Sequence, residues 1–106
     1  SVSKAKTLTR LERELAAHFS GRADALKEKA AGLGAAMVAV GAEDADVQAA
    51  FQPLPRVPIL LLFWDADPAE GFEAQCRLLF DASVPDYLDL EAILFLVEHL
   101  LAQLMD

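Results

Sequence analysis

Apolar residues near the start of the chain recur with helical spacing. The first such segment aligns four of them on one face: Leu8, Leu11, Leu15 and Phe19. Thr9 and Glu12 have the spacing of a capping box, so this helix would begin near Thr9 or one turn earlier. Ser20-Gly21 interrupts the pattern, and glycines close a second helical segment near residue 33. Residues 7–33 therefore predict a pair of helices or one kinked helix.

The middle of the chain is typical of β-structure. Residues 35–40 are a short apolar segment that predicts a strand, residues 47–52 alternate weakly, and residues 75–80 predict a strand that pairs with the central one. The run from Ile59 to Trp64 is apolar at every position, which indicates a central strand buried on both faces. Three prolines fall within residues 53–58, and each lacks a backbone N–H, so this stretch predicts an extended connector or a sheet edge.

The last helix is predicted over residues 89–105, with Asp86 or Asp89 as its N-cap. Apolar side chains cover most of its circumference, which indicates burial on more than one side. One side can face the sheet, and the other needs a second helix or a second chain. The residues expected at such an interface are Leu94, Phe95, Val97 and Leu101.

Together these elements predict a single α+β domain over residues 1–106. Its sheet is mainly antiparallel, with three or four strands between residues 35 and 80. N-terminal helices and a long C-terminal helix pack on it. At 106 residues, with 55% hydrophobic content, the chain can bury a sizeable core, and disorder is excluded.

Charge is distributed unevenly along the chain. Residues 1–34 carry seven basic and four acidic side chains (+3), whereas residues 35–106 carry two basic and 13 acidic ones (−11). The basic helical end is expected to dock on an acidic surface, of its own chain or of a neighbour. The larger acidic part would repel phosphate backbones, which argues against nucleic acid as a partner.

Cys76 is the single cysteine, so no internal disulfide and no cysteine-rich cluster can form from this chain alone. This composition suits a reducing cytoplasm, and no cofactor is indicated. The longest uncharged apolar run, residues 57–64, is too short to span a bilayer. No leader-like segment opens the sequence, and no membrane association is expected.

Acidic residues follow two of the predicted strands and form the candidate ligand site. Asp65 and Asp81 end adjacent strands, and carboxylate oxygens are ligands for hard cations. The candidate set for a small ligand or divalent cation is Trp64, Asp65, Asp67, Asp81, Tyr87 and Glu91. The same aspartates also have an ordinary structural interpretation, because Asp begins turns by accepting backbone N–H groups.

No enzyme motif is recognisable in the chain. Ser83 lacks the glycine-flanked elbow of a hydrolase nucleophile, and the five dispersed glycines build no phosphate loop. Cys76, inside a predicted strand, is expected to act as a small buried hydrophobe. No catalytic residue is therefore assigned.

Five pieces of the sequence, in order and spacing, carry a family resemblance: Pro55-Arg56-Val57-Pro58, Phe63-Trp64-Asp65-Ala66-Asp67, Leu79-Phe80-Asp81-Ala82-Ser83, Tyr87-Leu88 and Glu91. With them the chain resembles the C-terminal half of an uncharacterised prokaryotic family, domain of unknown function 3786. The N-terminal half of the family pattern is expected to be missing. The resemblance implies a prokaryotic protein and supports the fold, but it implies no activity.

The function expected from these observations is that of a non-enzymatic interaction or accessory domain. It would form a homodimer, or dock to a missing half or a partner protein, through its apolar C-terminal helix. The alternative is a small-ligand or divalent-cation binding domain that uses the acidic strand ends.

Overall fold

The computed structural model describes residues 2–39, 44–81, 83–84 and 88–106, and they form an α+β fold. In chain order, its elements are α1 (Val2–Phe19), α2 (Ala23–Gly32), β1 (Ala36–Met37), β2 (Val47–Leu54), β3 (Val57–Trp64), a single 3₁₀ turn (Pro68–Glu70), β4 (Gln75–Phe80) and α3 (Leu90–Leu104). The predicted fold class is confirmed. Strand β1 is shorter than the predicted residues 35–40, of which Val40 lies outside the described residues.

The four strands form one antiparallel sheet in the order β1-β2-β3-β4. Strand β3 is central, as its apolar run predicted. Its alternate residues Ile59, Leu61 and Phe63 are buried in the core with the helices. On the other face Leu62 is also buried, while Leu60 and Trp64 are half-buried. The continuous run thus reflects burial on the helical face and partial burial on the second face.

The proline-rich segment is a tight β-hairpin and not an extended connector. Its outer sides pair with no other described strand, as expected at a sheet edge. Leu54 pairs with Val57, and only Pro55 and Arg56 lie between the two strands. Arg56 adopts the left-handed conformation, at φ 67°. The register shifts between Phe51 and Leu54, and this irregularity contains Pro53. Proline is tolerated at a bulge, because ladder hydrogen bonds are interrupted there.

Helix α1 begins at Val2, so the predicted capping box at Thr9 was wrong. The Thr9 hydroxyl lies in mid-helix and donates to the Ala5 carbonyl at 3.1 Å. Gly21, at φ 76°, separates helix α1 from helix α2, as Ser20-Gly21 predicted. Glycine adopts this conformation without the steric cost that a β-carbon would add.

Helix α3 is capped by Asp89, whose carboxylate accepts the Ala92 N–H at 2.8 Å. Asp86, the other candidate cap, lies outside the described residues. Leu94, Val97, Leu101 and Leu104 of α3 join the main core, together with α1, α2 and the sheet. A second, smaller cluster contains Val57, Val84 and Ile93. Helix α3 therefore packs against α1 and α2 of its own chain. The sequence had required either a second helix or a second chain to cover the side of α3 that does not face the sheet.

Candidate functional site

Asp65 joins the end of β3 to the turn between α1 and α2. Its carboxylate accepts backbone N–H groups from Gly21 at 2.6 Å, Ala23 at 3.3 Å and Ala66 at 2.7 Å. Ala23 is the first residue of α2, so this side chain acts as an N-cap supplied from a distant strand. Both carboxylate oxygens accept backbone N–H groups. Asp65 therefore acts as a turn and capping residue, which was the structural alternative to a ligand site.

Trp64 and the Asp65 backbone are bound by the segment that precedes β2. The Trp64 indole Nε1 donates to the Asp44 carboxylate at 2.9 Å, and the Asp65 N–H donates to the Asp46 carboxylate at 2.7 Å. The Trp64 ring is half-buried. Asp44 and Asp46 therefore have a structural role, which is to hold the end of β3.

Asp67 organises the connection between β3 and β4. Its side chain accepts the Glu70 N–H at 3.4 Å, and its backbone forms a two-way bridge with Phe72. Gly71 completes the 3₁₀ turn in the left-handed conformation. The bridge leaves the Phe72 side chain 65% exposed, a large value for an aromatic residue.

Asp81 lies at the opposite end of the sheet from Asp65. Strands β3 and β4 are antiparallel, and the paired positions run from Trp64 with Gln75 to Ile59 with Phe80. At about 3.4 Å per residue, this separates the backbone positions of the two aspartates by roughly 24 Å. A shared ligand site would need the two carboxylates to lie close together. They do not, because the carboxyl ends of antiparallel neighbours lie at opposite ends of the sheet.

Asp81 instead binds the Ser83 hydroxyl at 2.7 Å and the Ser83 N–H at 2.9 Å. These hydrogen bonds, the hydroxyl contact first, lower the pKa of the Asp81 carboxyl. Glu91 pairs with Lys4 at 3.2 Å, and Tyr87 lies outside the described residues. Within the described part of the chain, no three His, Cys, Asp or Glu side chains are grouped to hold a metal ion.

The four residues assigned to an interface on α3 separate into two groups. Leu94, Val97 and Leu101 are buried in the core of this chain. Phe95 points outward and is 69% exposed. Only Phe95 is thus presented to a partner in the folded chain.

Sequence reasoning missed a groove of about 940 Å³ between α1 and β4. At its side the Glu12 carboxylate accepts the backbone N–H of Leu78 at 2.7 Å. Cys76 also lines the groove; its burial, with a smaller contribution from the Glu12 charge, raises its thiol pKa to about 12. The thiol is a buried hydrophobe, as expected. Two features of the sequence could have pointed to this groove. One is Phe72, an aromatic residue within a polar loop, and the other is Glu12, which the capping-box spacing explained only locally.

None of the described helices is long and apolar enough to cross a bilayer. No curated protein and no solved structure matches the chain significantly.

A family model does match, and its description is Domain of unknown function (DUF3786). The match covers residues 2–103 and so includes α1 and α2 as well as the sheet and most of α3. The restriction of the resemblance to a C-terminal half is therefore not supported. By this match the chain belongs to the DUF3786 family.

Proposed function

We propose that this chain is a non-enzymatic interaction domain that pairs with a second copy of itself through the outer face of α3. The observation that carries the proposal is the 69% exposure of Phe95 in the middle of that helix. Burying a phenylalanine side chain contributes about 1.5–3 kcal/mol, and aromatic residues are enriched at the buried centres of protein interfaces. A symmetric pairing would bring the two Phe95 rings together.

Charge around Phe95 supports the choice of a second copy. Glu91 and Glu98 lie one turn to either side of Phe95 on the same helical face. The basic start of α1 borders this face, since Lys4 contacts Glu91 at 3.2 Å. Each copy thus offers an acidic rim and a basic rim, and a two-fold axis can place these opposite each other. This use of both signs develops the expectation that the basic helical end docks on an acidic surface.

The test is the solution mass of the chain, measured by light scattering over a range of micromolar concentrations. We expect the mass to rise from 11.5 kDa towards twice that value as the concentration increases. Phe95→Ser should hold the mass at the monomer value. Phe72→Ser is the matched control, because it removes a similarly exposed aromatic ring elsewhere, and it should dimerise like the wild type.

Two outcomes would contradict the proposal. One is a wild-type chain that stays at 11.5 kDa throughout the range. The other is a Phe95→Ser variant that associates as strongly as the wild type while retaining its helical circular dichroism spectrum.

A further inference from the structure

The groove between α1 and β4 is large enough to hold a segment of another molecule. Its volume of about 940 Å³ lies near the upper end of the range, about 300–1,000 Å³, that ligand pockets occupy. Ala16 and Ala17 of α1 form one wall, and Ala74 with the exposed Phe72 forms another. Small side chains leave room for an occupant, and the Phe72 ring offers it apolar surface.

Strand β4 is an edge of the sheet, and its backbone faces this groove. The Leu78 N–H points to Glu12 and not to β3. Because hydrogen-bonding direction alternates along an antiparallel strand, the Cys76 N–H and C=O point to the same side as those of Leu78. Glu12 occupies the Leu78 donor, and Cys76 lines the groove. The Cys76 N–H and C=O are therefore the backbone groups in the first half of β4 that face the groove and can pair with an extended chain.

The charges at the groove favour an acidic occupant. Arg13 of α1 and Arg77 of β4 line it, and both are exposed. Neither forms an ion pair with any residue in the described ranges. Glu12 is bound to the Leu78 backbone, which leaves Glu73 as the other acidic residue at the rim. In a chain of net charge −8, two exposed arginines that form no ion pair within the described ranges can bind carboxylates.

We propose that this groove binds an extended, acidic segment of another protein. The segment adds to the β4 edge near Cys76, its carboxylates pair with Arg13 and Arg77, and an apolar side chain packs on Phe72. This site is separate from Phe95 and does not depend on dimerisation. Backbone pairing with a strand edge is specific to a polypeptide, which favours a protein segment over a nucleic acid.

The experiment is selection of random phage-displayed dodecapeptides on the immobilised intact chain. We expect the selected peptides to be enriched in Asp and Glu and in β-forming residues. The affinity of synthetic copies should fall about tenfold in the double variant Arg13→Gln/Arg77→Gln, the loss that two surface ion pairs can cause. Phe72→Ser should also weaken binding, whereas Phe95→Ser should leave it unchanged. Hydrogen exchange should show the Cys76 amide becoming protected when peptide binds.

The proposal is overturned if no peptide is selected or if the selected peptides lack acidic enrichment. Equal affinity for the wild type and a folded double arginine variant would also overturn it. Single-stranded oligothymidylate that displaces the peptides and binds more tightly would assign the arginines to phosphate instead. Each result is independent of the solution mass, so failure of this site and failure of the Phe95 interface are distinguishable.

Discussion

The Glu12 carboxylate on α1 accepts the backbone N–H of Leu78 on β4 at 2.7 Å, across 66 positions of the chain. A strand edge with free N–H groups is a template for pairing with another chain, and a charged side chain that accepts one of those N–H groups blocks pairing at that position. Glu12 therefore anchors α1 to the sheet and closes one donor of the β4 edge.

Replacing Glu12 should destabilise the fold by removing this anchor. For Glu12→Ala we expect the free energy of unfolding to fall by about 1–2 kcal/mol, because the half-buried Leu78 N–H loses a charged acceptor. Glu12→Gln should lose less, since its amide oxygen can still accept. Urea denaturation measures both. Glu14→Gln is the control: Glu14 pairs with Arg10 one turn away, and its loss should cost about 0.3–0.5 kcal/mol. Equal losses in Glu12→Ala and Glu14→Gln would contradict the anchoring role.

Asp65 should be the most sensitive of the acidic strand-end residues. Its carboxylate accepts three backbone N–H groups, so Asp65→Ala should lower the free energy of unfolding by about 2–3 kcal/mol. Hydrogen exchange of the Gly21 and Ala23 amides should accelerate in this variant. The control Glu73→Ala alters an exposed carboxylate and should change stability by less than about 0.5 kcal/mol. Unchanged exchange at Gly21 would show that the cap is unimportant.

Millimolar calcium, magnesium or manganese should leave the melting temperature unchanged. Asp65 is occupied by backbone donors and Asp81 lies at the far end of the sheet, so these two predicted ligands do not converge. A cation at ten times its dissociation constant would add about 1.4 kcal/mol to the free energy of unfolding. Each kcal/mol raises the melting temperature of a domain of this size by roughly 4–8 °C. Differential scanning calorimetry with and without metal would detect such a shift. Its appearance would restore the divalent-cation alternative.

Cys76 should be unreactive at about pH 8, because its thiol pKa is raised from 9.0 to about 12 and only the thiolate is nucleophilic. The raised value also predicts a pH dependence of stability. Below pH 9 the thiol is protonated in both states, but above it the unfolded chain releases this proton first. The contribution of Cys76 to stability is therefore lost progressively as the pH rises from 9 towards 12.

Reaction with a chromogenic disulfide reagent, in native buffer and in urea, measures this difference directly. The urea-unfolded chain should react as an ordinary thiol. In Glu12→Gln the native reaction should become faster, because the neighbouring negative charge that raises the pKa is removed. Native and unfolded chains that react at the same rate would contradict the burial of Cys76.

Several elements were predictable because their causes lie within a few residues. The Asp89 cap, the break at Gly21 and strand β4 all follow from local turn, capping or β-forming chemistry. The apolar run of β3 also located the centre of the sheet. The hairpin at Pro55 and Arg56 was missed because proline disfavours a strand. The sequence did not show that Pro53 lies at a bulge, where proline is tolerated.

The candidate sites were less predictable, because their residues meet only in the folded chain. Pattern alone identified Asp65 as a turn or ligand residue but not its partner Gly21, 44 positions away. Glu12 has the spacing of a local cap, and its true acceptor role depends on α1 packing beside β4.

The sequence by itself determined the α+β class, the long capped α3 and the central apolar strand, because hydrophobic periodicity and caps act over one or two turns. Tertiary structure alone decided which α3 side chains stay outside the core, since Leu94 and Leu101 join the core with residues of α1, α2 and the sheet, whereas Phe95 stays exposed. It also decided that Asp65 and Asp81 stand at opposite ends of the sheet, because strand direction is a property of pairing and not of either strand.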